Sequence, residues 1–354
     1  MIVQGLCYDA TGKLRDNLTA LNLYREQIEA ACDLRLINGF AASLEQARKS
    51  VEKASPDVLF LCPEWHTPID DARRLLDTLR SVRQMKIVLV DFCDGSNSPF
   101  FDLLTVVDLF IKAHSLSDPL ANAKAYDGGH IFADFLVNQL GWDIGDWSFG
   151  SPADPAQVGK IKPGWTWAVH ARYRALARTA ARVLVPWRLR RIDLNTRFGG
   201  IGGNDDWYSR YRSMSLEKVR ELAGRARLSS SKRVGVKRYL AEMAFTKIAF
   251  SPFGWGEVCF RDFEAVACGA LLVKPDMGHL KTCPDLYRPH ETYVPVKWDL
   301  SDLEETLLHY LDRPREAMKI ASAAQKCLQR FYRDEQFVDR FRSYLRMLEA
   351  PQVK

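Results

Sequence analysis

The sequence lacks long hydrophobic runs and closely spaced cysteines, and both absences exclude classes of protein. No stretch approaches the roughly 18 consecutive apolar residues that a membrane-spanning helix requires. The 354 residues include only 8 cysteines, too few for a disulfide scaffold. No two of them form the C-x-x-C pair typical of structural zinc sites. We therefore expect reduced cysteines, no structural zinc and no transmembrane helix.

The sequence also lacks a strong excess of charge and any nucleic-acid-binding signature. Its formal net charge of +6 suits an anionic small ligand or membrane surface and does not require a nucleic acid. No stretch interleaves arginines with aromatic residues in the manner of RNA- or DNA-binding sheets. The apolar residues 1–9 have no basic leader and are expected to form a strand rather than a signal peptide. These features predict a cytoplasmic protein without a nucleic-acid partner.

Predicted strands and helices alternate along the first half of the chain. Apolar runs predict strands at residues 2–8, 57–62, 86–91 and 106–112, and helical periodicity predicts helices at residues 18–32, 43–54 and 70–82. Continuous apolar runs are typical of strands that are buried on both faces. The alternation predicts βαβ units with a parallel sheet.

A second series of alternating elements follows an irregular segment. Strands are predicted at residues 181–186, 246–251, 270–274 and 292–296, and helices at residues 215–226, 236–244, 260–268, 303–311 and 314–331. We expect an α/β protein of two doubly wound domains facing a central cleft, comprising residues 1–175 and 176–354, with the last helix packing back on the first domain. Ligands of such sheets bind at the carboxyl ends of the strands.

The most informative segment is a strand, a glycine loop and a helix within residues 247–274. Gly254 and Gly256 allow backbone N–H groups to approach a ligand closely, and the N-terminus of the following helix favours a phosphate. Arg261 can pair with a diphosphate through its planar guanidinium. Glu264 shares a helix face with Arg261, and its carboxylate can accept hydrogen bonds from a ribose diol.

This segment resembles the nucleotide-binding half of two-Rossmann-domain (GT-B type) glycosyltransferases, particularly the group 1, exostosin-like and CgeB-like families. The similarity is carried by Phe-Ser-Pro-Phe-Gly at residues 250–254, Arg-Asp-Phe-Glu-Ala at residues 261–265 and Cys-Gly-Ala at residues 268–270. The resemblance implies that the loop, including Ser251, holds the donor diphosphate together with Arg261. It also implies that Glu264 holds the donor ribose.

One feature departs from the pattern of the resembling retaining enzymes. Many of them carry two glutamates separated by seven residues, whereas six residues separate Glu257 from Glu264. Glu257 is still a candidate to contact the donor sugar from the loop. The spacing leaves both stereochemical outcomes, retention and inversion, open.

Two residues at predicted strand ends of the first domain are candidates for a general base. His66 follows the strand at residues 57–62, and its imidazole has an unperturbed pKa near neutrality; it is otherwise a turn residue that caps the next helix. Asp94 follows the strand at residues 86–91, where Asp-Gly is also an ordinary turn signal. Both interpretations remain open for each residue.

Basic residues of the second domain compete for the phosphates. Arg197 lies in the loop that follows the first strand of that domain and is favoured as a phosphate contact, while Lys237 begins the helix before the glycine loop. Since a helix end and arginines can stabilise a leaving diphosphate without a cation, we expect neither a required metal nor another cofactor.

A basic stretch from residue 160 to residue 191 includes several aromatic residues and no acidic one. It is either a helix that lies on an anionic membrane surface or an interdomain helix with a solvated basic face. The first interpretation places the protein peripherally on the inner face of the cytoplasmic membrane.

The resemblance implies a glycosyltransferase that moves a sugar from a nucleotide-diphosphate donor to a hydroxyl of a glycan or lipid-linked acceptor. The expected setting is the synthesis of bacterial cell-surface polysaccharide, with the second domain on the donor side and the first on the acceptor side. Two alternatives remain: a nucleotide-sugar epimerase of the same two-domain fold, and a non-catalytic two-domain ligand-binding protein.

Overall fold

The computed structural model of the protein describes residues 1–11, 17–182, 184–198, 206–230, 232, 234–333 and 336–349, apart from the side chains of residues 180–182. The chain divides into two compact units. The first unit contains Met1–Gln139, Gly145–His170 and the helix that begins at Gln336. The second contains Leu140–Ile144 and the chain from Ala171 to Arg333.

Twelve strands and twelve α-helices are present in the described ranges. The strands are β1 (Ile2–Tyr8), β2 (Arg35–Ala41), β3 (Val58–Pro63), β4 (Lys86–Asp91), β5 (Leu109–Lys112), β6 (Ser115–Leu116), β7 (Ile161–Pro163), β8 (Ile192–Asn195), β9 (Thr246–Phe250), β10 (Leu271–Pro275), β11 (Leu280–Lys281) and β12 (Val294–Val296). The helices are α1 (Thr19–Leu23), α2 (Arg25–Cys32), α3 (Leu44–Ala54), α4 (Ile69–Val82), α5 (Ile131–Leu140), α6 (Ala171–Arg182), α7 (Trp207–Arg220), α8 (Val236–Ala244), α9 (Phe260–Ala267), α10 (Leu303–Asp312), α11 (Pro314–Arg333) and α12 (Gln336–Glu349).

The first unit is built on a parallel sheet that is buried on both faces. Its strand order is β2-β1-β3-β4-β5-β7, and every neighbouring pair is parallel. Side chains alternate between the faces of a strand, so Leu59 and Leu61 join a hydrophobic cluster with residues of α3 and α4. Phe60 lies on the opposite face, and its ring stacks on Phe341 of α12 with centroids 5.0 Å apart.

Helix α12 completes the first unit from far along the chain. The ring of Phe337 packs against Tyr24 and Trp165, with centroid distances of 5.1 and 5.2 Å. The hydroxyl of Tyr344 donates a hydrogen bond to the carbonyl oxygen of Pro163 in β7 (2.7 Å). These aromatic contacts cover the sheet face that α3 and α4 leave open.

The second unit has a four-stranded parallel sheet in the order β12-β10-β9-β8. Its strands are short and apolar, and all five residues of β10 are buried. The longest described helix, α11, buries one face through residues such as Ala317, Ile320 and Leu328 and leaves basic side chains outside. Among the described residues, no helix combines the length and the apolar character needed to cross a membrane.

Most predicted elements are confirmed, and the main error lies where the second unit begins. The strand predicted at residues 181–186 is wrong in its described part: Ala- and Arg-rich α6 continues to Arg182, and residues 184–186 form no strand, while residue 183 lies outside the described residues. The first strand of the unit is instead β8, so Arg188, Arg190 and Arg191 precede a strand rather than follow one.

Smaller differences concern the first unit. The helix predicted at residues 18–32 is interrupted at Tyr24, which separates α1 from α2. Strand β2 has no clear period-two pattern because it is only partly buried, and it was not among the predicted strands. The predicted strand at residues 106–112 is shorter, since a 3-10 helix occupies Phe101–Val106 before β5 begins.

A buried ion pair joins the strands of the second unit to α9. The carboxylate of Asp262 and the ammonium of Lys274, both fully buried, lie 3.3 Å apart. The same carboxylate accepts hydrogen bonds from the hydroxyls of Ser251 (2.5 Å) and Tyr287 (2.7 Å) and from the backbone N–H of Cys259 (3.0 Å). The ends of β9 and β10 and the start of α9 are therefore held around one charge.

We predict that Lys274→Met strongly destabilises the second unit, because it leaves the Asp262 carboxylate buried without its counter-charge. Removing one partner of a buried pair costs about 3–5 kcal/mol. Hydrogen exchange of β9 and β10 amides should show a drop in opening free energy of that size, with β3 and β4 unaffected. Lys281→Met, at an exposed lysine, is the matched control. Equal protection in the two variants would contradict the prediction.

Candidate functional site

An arginine from helix α7, which sequence patterns did not identify, packs on the glycine loop between β9 and α9. Arg212 of α7 donates from Nε to the carbonyl oxygen of Phe253 (3.0 Å). A Cβ atom added to Gly254 would lie 2.4 Å from a terminal nitrogen of Arg212. A side chain at position 254 would therefore displace this guanidinium from the loop. The N–H of Gly254 donates to the carbonyl oxygen of Gly256 (3.1 Å).

Arg261 lies in the first turn of α9 and is nine-tenths buried. One terminal nitrogen donates to the backbone carbonyl oxygen of Arg197, and the guanidinium carbon lies 5.4 Å from the centre of the Phe198 ring. Its buried Nε has no hydrogen-bond acceptor among the described residues. A buried guanidinium N–H without an acceptor is costly, so this atom is a candidate to bind an anionic ligand.

Glu264 follows Arg261 by three residues and lies in a cluster of side chains from three helices. Its carboxylate is paired with Arg172 of α6, and the nearby hydroxyl of Tyr239 of α8 favours its charged form. Burial raises the pKa of Glu264, while Tyr239 and the charges of Arg172 and Arg261 oppose that rise. Glu264 is only 4% exposed, and its ion-pair partner Arg172 is half-exposed.

Glu257 lies inside the unit rather than on the outer surface of the loop. Its side chain is fully buried, and one carboxylate oxygen lies 3.6 Å from Nε2 of His279. The imidazole of His279 packs edge-on against Trp298, with centroids 4.9 Å apart. A direct contact between Glu257 and a donor sugar would therefore require the loop to open.

The remaining loop candidate, Ser251, is engaged in the protein interior. Its fully buried hydroxyl donates to Asp262. This geometry favours a role in holding the loop over a direct phosphate contact. The carbonyl oxygen of Gly256 accepts from the N–H of Gly254, and a contact of Gly256 with a ligand stays a prediction.

The two basic candidates outside the loop differ in their surroundings. Arg197 makes a two-pronged ion pair with Glu242 of α8, and this pairing lowers the pKa of Glu242. Its guanidinium is thus occupied by a carboxylate, although its backbone carbonyl oxygen accepts from Arg261. Lys237 lies exposed in the first turn of α8.

His66 of the first unit lies between two buried carboxylates. Its Nε2 is 4.0 Å from Asp9 and its Nδ1 is 3.8 Å from Glu64. Asp9 follows β1 and Glu64 follows β3, so the carboxyl ends of two adjacent parallel strands bring the three side chains together. The imidazole is 40% exposed, which gives a substrate access to it.

Asp94 is exposed in the loop after β4, and its carboxylate accepts a hydrogen bond from Nε1 of Trp167 (3.4 Å). The neighbouring Asp91 is buried and lies 3.3 Å from the buried ammonium of Lys112. That ammonium also donates to the carbonyl oxygen of Cys93 (3.0 Å). The ion pair fixes the loop that carries Asp94.

The structure thus brings Arg261 and Glu264 into one cluster and adds Arg172 and Tyr239, which sequence patterns did not identify. Arg172 had a partial signal as a member of the basic stretch, whereas nothing in the sequence pairs Tyr239 with Glu264. Within the described ranges, no group of three or more His, Cys, Asp or Glu side chains forms a candidate metal site.

Comparisons with known proteins identify the class of the chain. Residues 178–345 match a protein family described as glycosyl transferase-like. No curated protein matches the sequence. The family match covers the glycine loop, Arg261 and Glu264, and it favours glycosyl transfer over the epimerase and binding-protein alternatives.

Solved structures of glycosyltransferases resemble the chain over nearly its whole length. A sucrose-phosphate synthase from Thermosynechococcus elongatus is 13% identical, with 98% of this chain and 99% of that chain covered and a TM-score of 0.50. A glycosyltransferase from Rickettsia africae ESF-5 is 9% identical, with 99% of each chain covered and a TM-score of 0.49. An alpha,alpha-trehalose-phosphate synthase (UDP-forming) from Burkholderia vietnamiensis is 9% identical, with 97% and 100% covered and a TM-score of 0.43.

At 13% identity, the likeness to the sucrose-phosphate synthase shows the fold alone. The family match covers residues 178–345, which contain the glycine loop. Both point to the same class. With two Rossmann-like α/β units and a glycosyl transferase-like second half, the chain is a glycosyltransferase of the GT-B type.

Proposed function

We propose that the second unit binds a nucleoside-diphosphate sugar and that the enzyme transfers the sugar to a hydroxyl of a glycan or lipid-linked acceptor. The observation that carries this proposal is the pairing of Arg261 and Glu264 on one face of α9, directly after the glycine loop. Both side chains are buried, and Nε of Arg261 lacks an acceptor within the described part of the chain. A cation and a carboxylate so arranged match the diphosphate and ribose of one donor.

Arg261 is the proposed partner of the diphosphate. Negative charge grows on that group as the bond to the sugar breaks, so a fixed guanidinium stabilises the transition state more than the bound donor. The carbonyl of Arg197 and the ring of Phe198 hold this guanidinium before the donor arrives. Because the charge is supplied by the protein, we propose that the reaction needs no metal ion.

Glu264 is the proposed partner of the ribose diol. Its carboxylate has two oxygens, and the nearby hydroxyl of Tyr239 favours its charged form. The ion pair with Arg172 involves a half-exposed side chain, which can move into solvent at little cost. We propose that a bound ribose displaces Arg172 and leaves Tyr239 in place.

The first unit is the proposed acceptor side, with His66 as the favoured general base and Asp94 as the alternative. His66 is supported by its exposure and by the two buried carboxylates that orient its ring. Asp94 is exposed but already accepts from Trp167. The biological setting that we propose is the synthesis of bacterial cell-surface polysaccharide, on the cytoplasmic side of the membrane.

Glu264→Gln should weaken binding of nucleoside diphosphates without loss of folding. The substitution removes the charge that strengthens hydrogen bonds to the ribose, at a cost of about 1–3 kcal/mol. Isothermal titration with UDP and GDP measures the change, and Glu217→Gln, at an exposed glutamate of α7, is the control. Unchanged affinity together with a lower melting temperature would show that Glu264 is only structural.

Arg261→Ala should lower kcat/KM by on the order of a hundredfold or more, by analogy with the loss of one preorganised donor. A part of the loss should appear in kcat, because the guanidinium acts on charge that develops in the transition state. Arg261→Lys should recover only a fraction, since lysine keeps the charge without the two-pronged geometry. Steady-state kinetics of both variants, beside Arg315→Ala at an exposed site of α11, provide the measurement.

If Arg261 merely braces the helix, both of its variants would keep kcat/KM within a few-fold of the parent enzyme. They would differ from it in melting temperature instead. Circular dichroism of each variant separates this outcome from a loss of folding.

We further propose that the segment after α6 contacts an anionic membrane surface. Leu184 and Leu189 are 48% and 55% exposed, and exposed Arg188 and Arg191 lie beside them. Exposed apolar side chains among arginines suit the interface of a bilayer with negative headgroups.

Vesicle flotation tests the membrane contact. The protein should float with vesicles that contain phosphatidylglycerol and remain with the soluble fraction when the vesicles are pure phosphatidylcholine. Each of Arg188→Ala and Arg191→Ala should weaken anionic binding about fivefold, from roughly 1 kcal/mol per basic residue. Leu120→Ser, at an exposed leucine of the first unit, is the control. Equal binding to both vesicle types would refute the contact.

A further inference from the structure

The first unit contains a cavity that the proposed donor site does not use. Its volume is about 180 Å³, and its walls come from the loop after β4, the chain between β5 and α5, and residues 148–152. Pockets for drug-sized ligands have roughly 300–1,000 Å³. This cavity is therefore too small for a nucleotide sugar and has the size of a single small ring.

Two glycines allow the loops that line the cavity to pack closely against each other. Gly129 and Gly150 both line the cavity and have φ angles of +70° and +78°, a conformation that other residues rarely adopt. A Cβ atom on Gly129 would lie 2.4 Å from the carbonyl oxygen of Phe149, and one on Gly150 would lie 2.5 Å from that of Ser98. The cavity is a built feature of the unit, because its walls need backbone contacts that only glycine permits.

Two asparagines in the walls are fixed by their amide nitrogens. Nδ2 of Asn97 donates to the carbonyl oxygen of Phe149 (2.6 Å), and Nδ2 of Asn122 donates to that of Pro119 (3.0 Å). These bonds set the orientation of each amide. Both side chains are more than nine-tenths buried, and their Oδ1 atoms accept no hydrogen bond from the residues that the structure describes.

The other walls combine hydroxyl groups with apolar surface. Ser96, Ser148, Ser151 and Tyr126 contribute hydroxyl-bearing side chains, while Phe101 and Leu116 are apolar. Lys124 is the one charged residue among the described residues that line the cavity. Hydroxyls and amides beside a flat apolar wall match a ring that carries several hydroxyl groups on one edge and C–H groups on its face.

We propose that this cavity binds one neutral sugar ring, either a free monosaccharide or the terminal residue of a glycan. Bound hydroxyl groups would donate to the asparagine oxygens and exchange hydrogen bonds with the serines, while the ring face lies against Phe101. The proposal depends on the first unit alone and stands whether or not the second unit binds a nucleotide.

An ion or a nucleotide fits the cavity less well than a sugar. A single exposed lysine provides too little positive charge to favour a phosphate over its hydration, and the amide oxygens would face the anion with the wrong polarity. A nucleotide exceeds the volume. The Oδ1 atoms of Asn97 and Asn122 can be satisfied by a hydroxyl or an amine of the ligand. No acidic side chain among the described lining residues would favour a charged amine, which leaves a hydroxyl.

Saturation-transfer NMR on the full-length protein tests the proposal. The probes are the methyl α-glycosides of glucose, galactose and mannose, together with N-acetylglucosamine and the disaccharides maltose and lactose. We expect saturable binding of at least one probe that UDP does not displace. A response to monosaccharides alone indicates a free sugar, while transfer to one ring of a disaccharide indicates the terminal residue of a glycan.

Variants connect the signal to the cavity. Ala125→Trp places a large ring at an exposed position of the lining and should weaken binding at least tenfold. Ala31→Trp, at an exposed alanine of α2, should leave it unchanged. Tyr126→Phe should weaken binding about fivefold through one lost hydrogen bond.

Three results would overturn the proposal: saturation transfer to none of the probes, displacement of the bound sugar by UDP, or equal affinity in Ala125→Trp and the parent protein. The proposed donor function is tested separately by binding of UDP and GDP to the same samples. Failure of sugar binding with retained nucleotide binding therefore rejects the cavity alone, and the reverse outcome rejects the donor site alone.

Discussion

The geometry of the second unit depends on the buried ion pair between Asp262 and Lys274. Two charges in an apolar interior are stable only if each has close partners, and here those partners are the ends of β9 and β10, the start of α9 and Tyr287. The first unit contains a similar buried ion pair, in which Lys112 at the end of β5 neutralises Asp91 at the end of β4. In both units a buried lysine fixes the loops at the carboxyl edge of the sheet.

This constraint separates residues that build the donor loop from residues that are available to a ligand. Ser251 and Asp262 face inward and stabilise the ion pair. Arg261, at the position before Asp262, keeps one N–H without an acceptor in the described chain. Arg212 of α7 packs on the backbone of the loop at Gly254. Neighbouring residues of one motif therefore have different roles, and their hydrogen-bond partners distinguish them.

Sequence patterns predicted the parts of this arrangement that depend on local order. Consecutive residues determine the apolar runs of β3 and β4 and the strand–loop–helix order around Gly254. The contacts of Glu264 with Arg172 and Tyr239 join residues far apart in sequence, and no periodicity marks them. The wrong strand prediction at residues 181–186 has a local cause. The apolar residues next to Pro186 have the composition of a strand, but the alanines and arginines before them extend α6. Strand β2, which is only partly buried, was not predicted because its side chains do not alternate clearly between polar and apolar.

The return of α12 to the first unit affects the order in which the chain can fold during synthesis. Phe60 and Trp165 leave the ribosome early, yet their partners Phe341 and Phe337 are made only after every strand of the second unit. The second unit can therefore close its sheet while the first still has one uncovered aromatic face. Such a face is prone to aggregation in a nascent chain, so the yield of active enzyme should depend on chaperones that bind it until the last helix emerges.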